Sequence, residues 1–259
     1  MEVFALAGQS NMSGRGNCFD EAGGVWVGLH GDIPPECDMP PGRALCFDAA
    51  GEWIQAAEPL HAGIDTKKGA ARNGIGPGSA FARALLDQGW CERIGVVPCA
   101  AGGASLSEWA PGGALYSAMV ARVRSAVGAA PGGGGRLAGL LWYQGESDAG
   151  TPEDAATYQS RFESWAAAAR KDLQAPDLLI VQVGITVRDD STVDEDPSLA
   201  KVRHFRGVRE GQLAAAEADP RMGIVDALGQ PLQRDGVHLT TAGYVAVGKM
   251  LAAKVAEME

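Results

Sequence analysis

The chain has 259 residues, 46% of them apolar, a composition able to bury a full globular core. Its formal charge of −10 argues against nucleic acid or an anionic membrane as a partner, because both recruit basic patches. No apolar run approaches the ~20 residues that span a bilayer. The N-terminus lacks the basic start and small-residue cleavage site of a secretion signal, so a soluble, cytoplasmic chain is the expectation. Five cysteines, Cys18, Cys37, Cys46, Cys91 and Cys99, include no C-x-x-C pair and fit neither a disulfide framework nor a zinc cluster. Reduced structural thiols are expected, with a metal clip among Cys18, Cys37 and Cys46 as the minor alternative.

The first element is the apolar run Val3-Phe4-Ala5-Leu6-Ala7, which stops at Gly8-Gln9-Ser10-Asn11. Its length and composition are those of a buried strand, and Gly8 permits a sharp turn after it. Ser10 therefore stands just beyond the carboxyl end of a strand, where open α/β sheets place their ligands. It is either an ordinary turn residue or a nucleophile beside unpaired backbone N–H groups that can receive an oxyanion.

From residue 14 to about residue 78 little periodicity is visible. Gly23-Gly24, Pro34-Pro35, Pro40-Pro41-Gly42 and the Gly74 to Gly78 stretch punctuate it as turns. Leu45-Cys46-Phe47 and Trp53-Ile54 suggest short packed pieces within a long decorated loop that walls the space next to Ser10. A helix is then predicted over Ser79 to Gln88, stopped by Gly89. Ile94 to Val97 is the second strand, and a helix carrying Leu115, Met119, Val123 and Val127 ends before Pro131. Leu137 to Tyr143 is the third strand. Thr151-Pro152-Glu153-Asp154 starts a helix with a Thr cap and Pro at its first position, running to about Leu173. Leu178 to Val183 is the fourth strand, followed by an acidic loop over 189–196 that reads as solvated surface. A helix over roughly Leu199 to Ala218, a fifth strand at Met222 to Asp226 and a last helix from Thr240 or Thr241 complete the chain.

Strand and helix alternate throughout, which implies a parallel sheet covered on both faces. No linker divides the chain. The expected fold is one α/β domain over residues 1–259, a three-layer α/β/α sandwich of about five strands.

Polar signatures end the first three strands: Gly8-Gln9-Ser10-Asn11, Gly102-Gly103 and Gln144-Gly145-Glu146. In a doubly wound sheet these ends share one edge. A fourth signature, Arg234-Asp235-Gly236-Val237-His238, precedes the last helix. Asp235 and His238 have the spacing for a carboxylate to orient an imidazole and steady its protonated form, as a serine hydrolase requires of its base. A bland reading of that pair is a helix-start cap.

Together with Met12 and the block Trp142-Tyr143-Gln144-Gly145-Glu146-Ser147-Asp148, these segments resemble SGNH-type hydrolases. They are most similar to the sialate O-acetylesterase/acetylxylan esterase group, carbohydrate esterase family six, and within it to plant-type members. The resemblance covers residues 3 to about 252 with the blocks in order. It implies a flavodoxin-like sandwich and an esterase that removes acetyl groups from carbohydrates; that chemistry requires no metal or cofactor. By position it implies Ser10 as nucleophile, His238 as general base and Asp235 as its partner. The implied oxyanion hole uses the backbone N–H of Ser10, that of Gly103 and the side-chain amide of Gln144, where many SGNH enzymes have Asn.

Glu146 either braces its loop or replaces Asp235 as the partner of His238; the shorter sequence separation favours Asp235. Trp109 is equally a sugar-stacking platform or core filler. Arg15 and Asn73 are candidate pocket residues, while His61 and His204 read as surface or packing histidines and His30 has no partner in sequence. No phosphate-cradling loop is present, and Gly102-Gly103 is too short for a dinucleotide fingerprint. The leading expectation is a carbohydrate O-acetylesterase whose partner is an acetylated carbohydrate. An esterase of small or lipid acyl esters is the alternative within enzymes, and a catalytically silent carbohydrate-binding scaffold the alternative outside them.

Overall fold

The apolar N-terminal run forms strand β1 (Glu2–Gly8), in which every residue from Val3 onward is buried. Burial on both faces is what a strand at the centre of a covered parallel sheet requires. The structure, a computed structural model, describes residues 1–20, 22–187 and 197–259. The acidic 189–196 loop lies outside the described residues.

Strand β1 pairs in parallel with β6 (Ile94–Pro98) on one side and β7 (Arg136–Tyr143) on the other. Beyond β7 the sheet continues in parallel through β8 (Leu179–Gly184) and β9 (Met222–Asp226). The five expected strands are all present, but the sheet has seven. The long loop contributes β4 (Ala44–Phe47), parallel to β6, and β5 (Trp53–Gln55), antiparallel to β4 at the edge. These two strands are only four and three residues long, too short for a period-2 pattern to show in sequence. The same loop forms a small hairpin of β2 (Phe19–Asp20) and β3 (Val25–Trp26).

The helices divide between the two faces. On one, α2 (Pro77–Asp87) packs against the C-terminal helix α7 (Thr241–Met258), so closely that a Cβ on Gly248 would lie 2.5 Å from the Pro77 carbonyl oxygen. Phe4 of β1 meets Phe81 of α2 there, edge to face at 4.9 Å. On the other face lie α3 (Ala114–Gly128), α5 (Tyr158–Asp172) and α6 (Phe205–Ala218). Trp142 of β7 packs against Trp165 at 4.2 Å and Phe162 at 5.4 Å between ring centroids, both on α5. Tyr116 of α3 joins that cluster through Trp165 and donates a hydrogen bond to Asp172.

The helix expected from Thr151 to Leu173 is interrupted. Thr151 caps α4 (Pro152–Ala156), accepting from the Asp154 N–H, but the helix stops at Thr157 before α5 begins. Likewise, residues 197–202 form 3₁₀ turns and the α-helix proper starts only at Phe205. Thr240 is the cap of α7, its hydroxyl accepting from the Gly243 N–H. Among the described residues no helix is long and apolar enough to cross a membrane.

From β1 the chain moves to β6 on one side, then passes to β7 on the other. The switch point of this doubly wound sheet therefore lies at the carboxyl end of β1, where such sheets open a crevice.

Truncating Phe162 removes a fully buried ring from the aromatic cluster. Phe162→Ala is expected to lower unfolding stability by about 3–5 kcal/mol, read from denaturant melts, with ester turnover per folded molecule retained.

Candidate active site

Gly8 brings the chain out of β1 at φ +128, so near β7 that a Cβ there would sit 2.2 Å from the Tyr143 carbonyl oxygen. Only glycine fits. The Gln9 N–H then donates to that same carbonyl, and the chain turns into a four-residue helix, α1 (Ser10–Ser13). Ser10 heads this helix, and the Ser10 hydroxyl lies 2.9 Å from Nε2 of His238. The other ring nitrogen, Nδ1, is 2.5 Å from Oδ2 of Asp235. These two contacts set the tautomer: Nδ1–H donates to the carboxylate and Nε2 accepts from the hydroxyl.

Asp235 is held for this contact by its own turn. Its Oδ1 accepts from the backbone N–H of Val237 and of His238, at 3.0 and 2.9 Å. Partial burial pushes the Asp235 carboxyl up, but the bonds and charge of His238 and the two backbone donors outweigh it, leaving a pKa of about 2. The helix-start cap is Thr240 and not this pair: Asp235 organises its own turn with one oxygen while meeting the imidazole with the other.

Glu146 is placed differently. Its Oε1 accepts from Asn11 Nδ2 at 2.5 Å, and its Oε2 has no hydrogen-bond partner. Burial pushes its carboxyl above the ordinary carboxylate value, against the opposing pull of Asn11 and of the nearby His238. Asn11 also donates to the Val237 carbonyl, and its Oδ1 accepts from the Leu239 N–H and the Tyr244 hydroxyl. This fully buried amide ties the Ser10 helix to the His238 turn and to Glu146. In sequence Asn11 is only part of a motif; its four bonds join residues up to 233 positions apart, which no local pattern reveals.

Neither the Ser10 N–H nor the Gly103 N–H has a protein acceptor among the described residues, whereas the neighbouring Gly102 N–H is bound to Asp65. Gln144 does not present a third. Its Nε2 donates to Asp148 Oδ2 at 2.5 Å and lies 3.1 Å from the Ala104 carbonyl and 3.3 Å from Gln9 Oε1. Both amide hydrogens thus have protein acceptors, and the side chain is fully buried. Its Oε1 lies 3.1 Å from the Tyr158 hydroxyl. Gln144 braces the floor beneath the serine instead of extending toward it, because the adjacent Asp148 carboxylate is the stronger acceptor.

Other candidates sort by burial. Trp109 is fully enclosed and packs against Trp142, so it is core and not a sugar platform. An aromatic residue beside His238 is Trp26 of β3, whose ring stands edge-on to it at 6.2 Å, with the Arg72 guanidinium 5.0 Å over the indole. Arg15 and Asn73 are buried, Arg15 in an ion pair with Asp65 and Asn73 on the carbonyls of His61 and Asp65. His61 is a buried packing histidine, which burial lowers to a pKa of about 4; His30 Nδ1 lies 3.1 Å from the Gly28 carbonyl oxygen. Lys68 lies over Gly103: a Cβ on that glycine would be 3.0 Å from its Cε. All five cysteines are unpaired, and among the described residues no three His, Cys, Asp or Glu side chains converge as metal ligands. Cys46 donates to the Leu60 carbonyl and burial pushes its thiol up to about 12, as expected of an inert core thiol.

A serine, its histidine and a carboxylate gathered at the switch point of a doubly wound sheet define the SGNH-type class of hydrolase. The chain belongs to the carbohydrate esterase, sialic acid-specific acetylesterase family, whose profile matches residues 1–257. It is a carboxylic-ester hydrolase of that family. A probable carbohydrate esterase of Arabidopsis thaliana is 39% identical over 254 residues, spanning 97% of this chain and 88% of the relative. The crystal structure of an Arabidopsis thaliana protein superposes with a TM-score of 0.85 at 37% identity, covering 99% of this chain and 98% of that one. A carbohydrate acetylesterase of Xanthomonas citri matches in fold, at 18% identity and a TM-score of 0.68, over 99% of this chain and 56% of its own.

The low pKa of Asp235 has a stability consequence. Its folded value of about 2 lies below the ~3.9 of an unfolded aspartate, so the native state favours the anion. That contribution is complete above about pH 4 and disappears as pH falls through 2. Melting temperatures of the wild type and Asp235→Asn are expected to differ at pH 6 and converge by about pH 2.

Proposed function

We propose that the protein is a serine O-acetylesterase that deacetylates carbohydrates through an acetyl-Ser10 intermediate. The observation that carries this reading is the unbroken hydrogen-bond chain from the Ser10 hydroxyl through His238 to Asp235. The family's description as an acetylesterase supports the acetyl group as the one transferred.

Ser10 Oγ attacks the acetyl carbonyl as its proton passes to His238 Nε2, and the carbonyl electrons move onto oxygen. The Ser10 and Gly103 N–H groups receive that oxyanion. Collapse expels the sugar oxygen, which takes the proton from Nε2. Water then enters, gives a proton to His238 and attacks the acetyl-enzyme, releasing acetate and restoring Ser10. Asp235 steadies the imidazolium in both halves and stays ionised above about pH 4, so loss of activity in mild acid does not arise from it. Gln144 and Glu146 act beneath these groups, Gln144 by bracing Gln9 and the Ala104 carbonyl, Glu146 by holding Asn11.

Acetate release from acetylated xylan, pectin, sialic acid and aryl acetates tests the reading, with Ser10→Ala as control. Turnover on acetylated sugars that vanishes in Ser10→Ala is expected; wild-type turnover in that variant, or a preference for long acyl chains, overturns it. Asp235→Asn is expected to lose about 10⁴ in kcat, the scale seen when a triad carboxylate is neutralised. Glu146→Gln keeps an oxygen for Asn11 and is expected to lose less than about tenfold, the cost of one neutralised buried acceptor.

A further inference from the structure

Asp65 is a buried carboxylate that the proposed reaction does not use, and it grips both sides of the site. It comes from the long 14–78 segment, far from any motif. Its Oδ2 accepts from the Ser13 hydroxyl and from Arg15 Nη2, each at 2.7 Å. Its Oδ1 accepts from the Gly102 N–H, also at 2.7 Å. Ser13 ends the helix that Ser10 begins, and its hydroxyl also reaches the Ser10 carbonyl at 3.2 Å. Gly102 is the residue before Gly103. One carboxylate therefore connects the nucleophile's helix to the loop that carries the second free N–H.

The surroundings make the clasp stiff. Asp65 and Arg15 are both about 2% exposed. Arg15 spends Nη1 on the Ser13 hydroxyl and the Gly14 carbonyl, both at 2.8 Å, so it braces the same helix end. Asn73 holds the Asp65 backbone carbonyl from behind at 3.0 Å. The fit extends to Gly102, where a Cβ would lie 2.6 Å from Arg15 Nη2 and 3.1 Å from Asp65 Oδ2. A side chain at residue 102 and the carboxylate at residue 65 cannot both keep their places. Burial of an ion pair at this depth is costly and adds little stability by itself, which makes a geometric role the better account of it.

We propose that Asp65 is a positioning residue for catalysis: by fixing the Gly102 N–H relative to Ser13, it aims the Gly103 N–H at the oxygen of the reacting carbonyl. The role rests on the serine-esterase reading. It exploits the steep dependence of oxyanion stabilisation on donor placement, where a displacement near 1 Å costs about 10²-fold. Ground-state substrate makes little use of these donors, so kcat carries the effect and KM does not.

The test compares wild type, Asp65→Asn, Gly102→Ala and Ser13→Ala as full-length chains. Diethyl p-nitrophenyl phosphate first titrates active sites by phosphorylating Ser10, and all rates are expressed per titrated site. Failure of the wild type to be labelled at Ser10 sinks the serine-esterase reading itself, independently of Asp65. With labelling in place, p-nitrophenyl acetate turnover and inhibition by 1,1,1-trifluoroacetone are measured. Addition of Ser10 to that ketone moves the carbonyl electrons onto oxygen and the hydroxyl proton onto His238, which reproduces the oxyanion. Asp65→Asn and Gly102→Ala are expected to lose about 10- to 100-fold in kcat with KM within about threefold, and inhibition is expected to weaken in parallel. Ser13→Ala deletes one of the three bonds, leaves the charge paired and is expected to lose about two- to fivefold, a smaller step in the same direction. A merely structural role would lower the melting temperature and the titratable fraction while leaving kcat and inhibition per site unchanged, and that result overturns the proposal. A rise in KM alone overturns it as well. Should Asp65→Asn fail to fold, Gly102→Ala and Ser13→Ala decide the matter by the same criteria.

Discussion

The site depends on one buried amide. Asn11 sits directly after Ser10 and uses its side chain on both ends of the polypeptide's business, donating to Glu146 and the Val237 carbonyl and accepting from Leu239 and Tyr244. Ser10 and His238 are 228 residues apart, and nothing local holds them together. Each bond to a fully enclosed amide would be expensive to leave unmade, so the His238 turn cannot drift without stranding buried polar groups. The placement of Ser10 against His238 is enforced by the penalty for unsatisfied polarity more than by the strength of any single contact.

The parallel sheet supplies the frame for that amide. Because β1 is flanked by β6 and β7, the loops bearing Ser10, Gly103 and Gln144 leave the sheet side by side. Gly8 permits the first of these exits, its backbone pressed against Tyr143. Beneath the exits, Gln144 is spent on Asp148, Ala104 and Gln9. The polar floor is thus nearly self-satisfied, with the Ser10 and Gly103 N–H groups above it.

Much of this arrangement was legible in sequence because its signals are local. Five core strands are runs of apolar residues, and Asp235 and His238 are close enough in the chain to be seen as a pair. What the sequence hides depends on distance. Strands β4 and β5 are too short for periodicity, and the break at Thr157 falls between two stretches that both read as helix. The amide of Gln144 could be assigned to the oxyanion from its position, but its competition with Asp148 is visible only once both side chains are placed. Trp109 and Trp26 show the same limit. The first follows the Gly102-Gly103 motif in sequence and is buried, whereas the second lies in an unpatterned stretch and stands beside His238.

The 14–78 segment does several jobs at once. It extends the sheet through β4 and β5, places Trp26 beside His238, and returns through a bridge between Gly16 and Ile75 that closes its two ends together. Ends so near each other usually mark an insert that can be exchanged as a unit. Here exchange would remove an edge of the sheet and Asp65 along with the wall of the site. The same stretch of chain thus carries both the aromatic beside His238 and the carboxylate bound to the Gly102 N–H, and a graft there must supply a substitute for that carboxylate as well as a new rim.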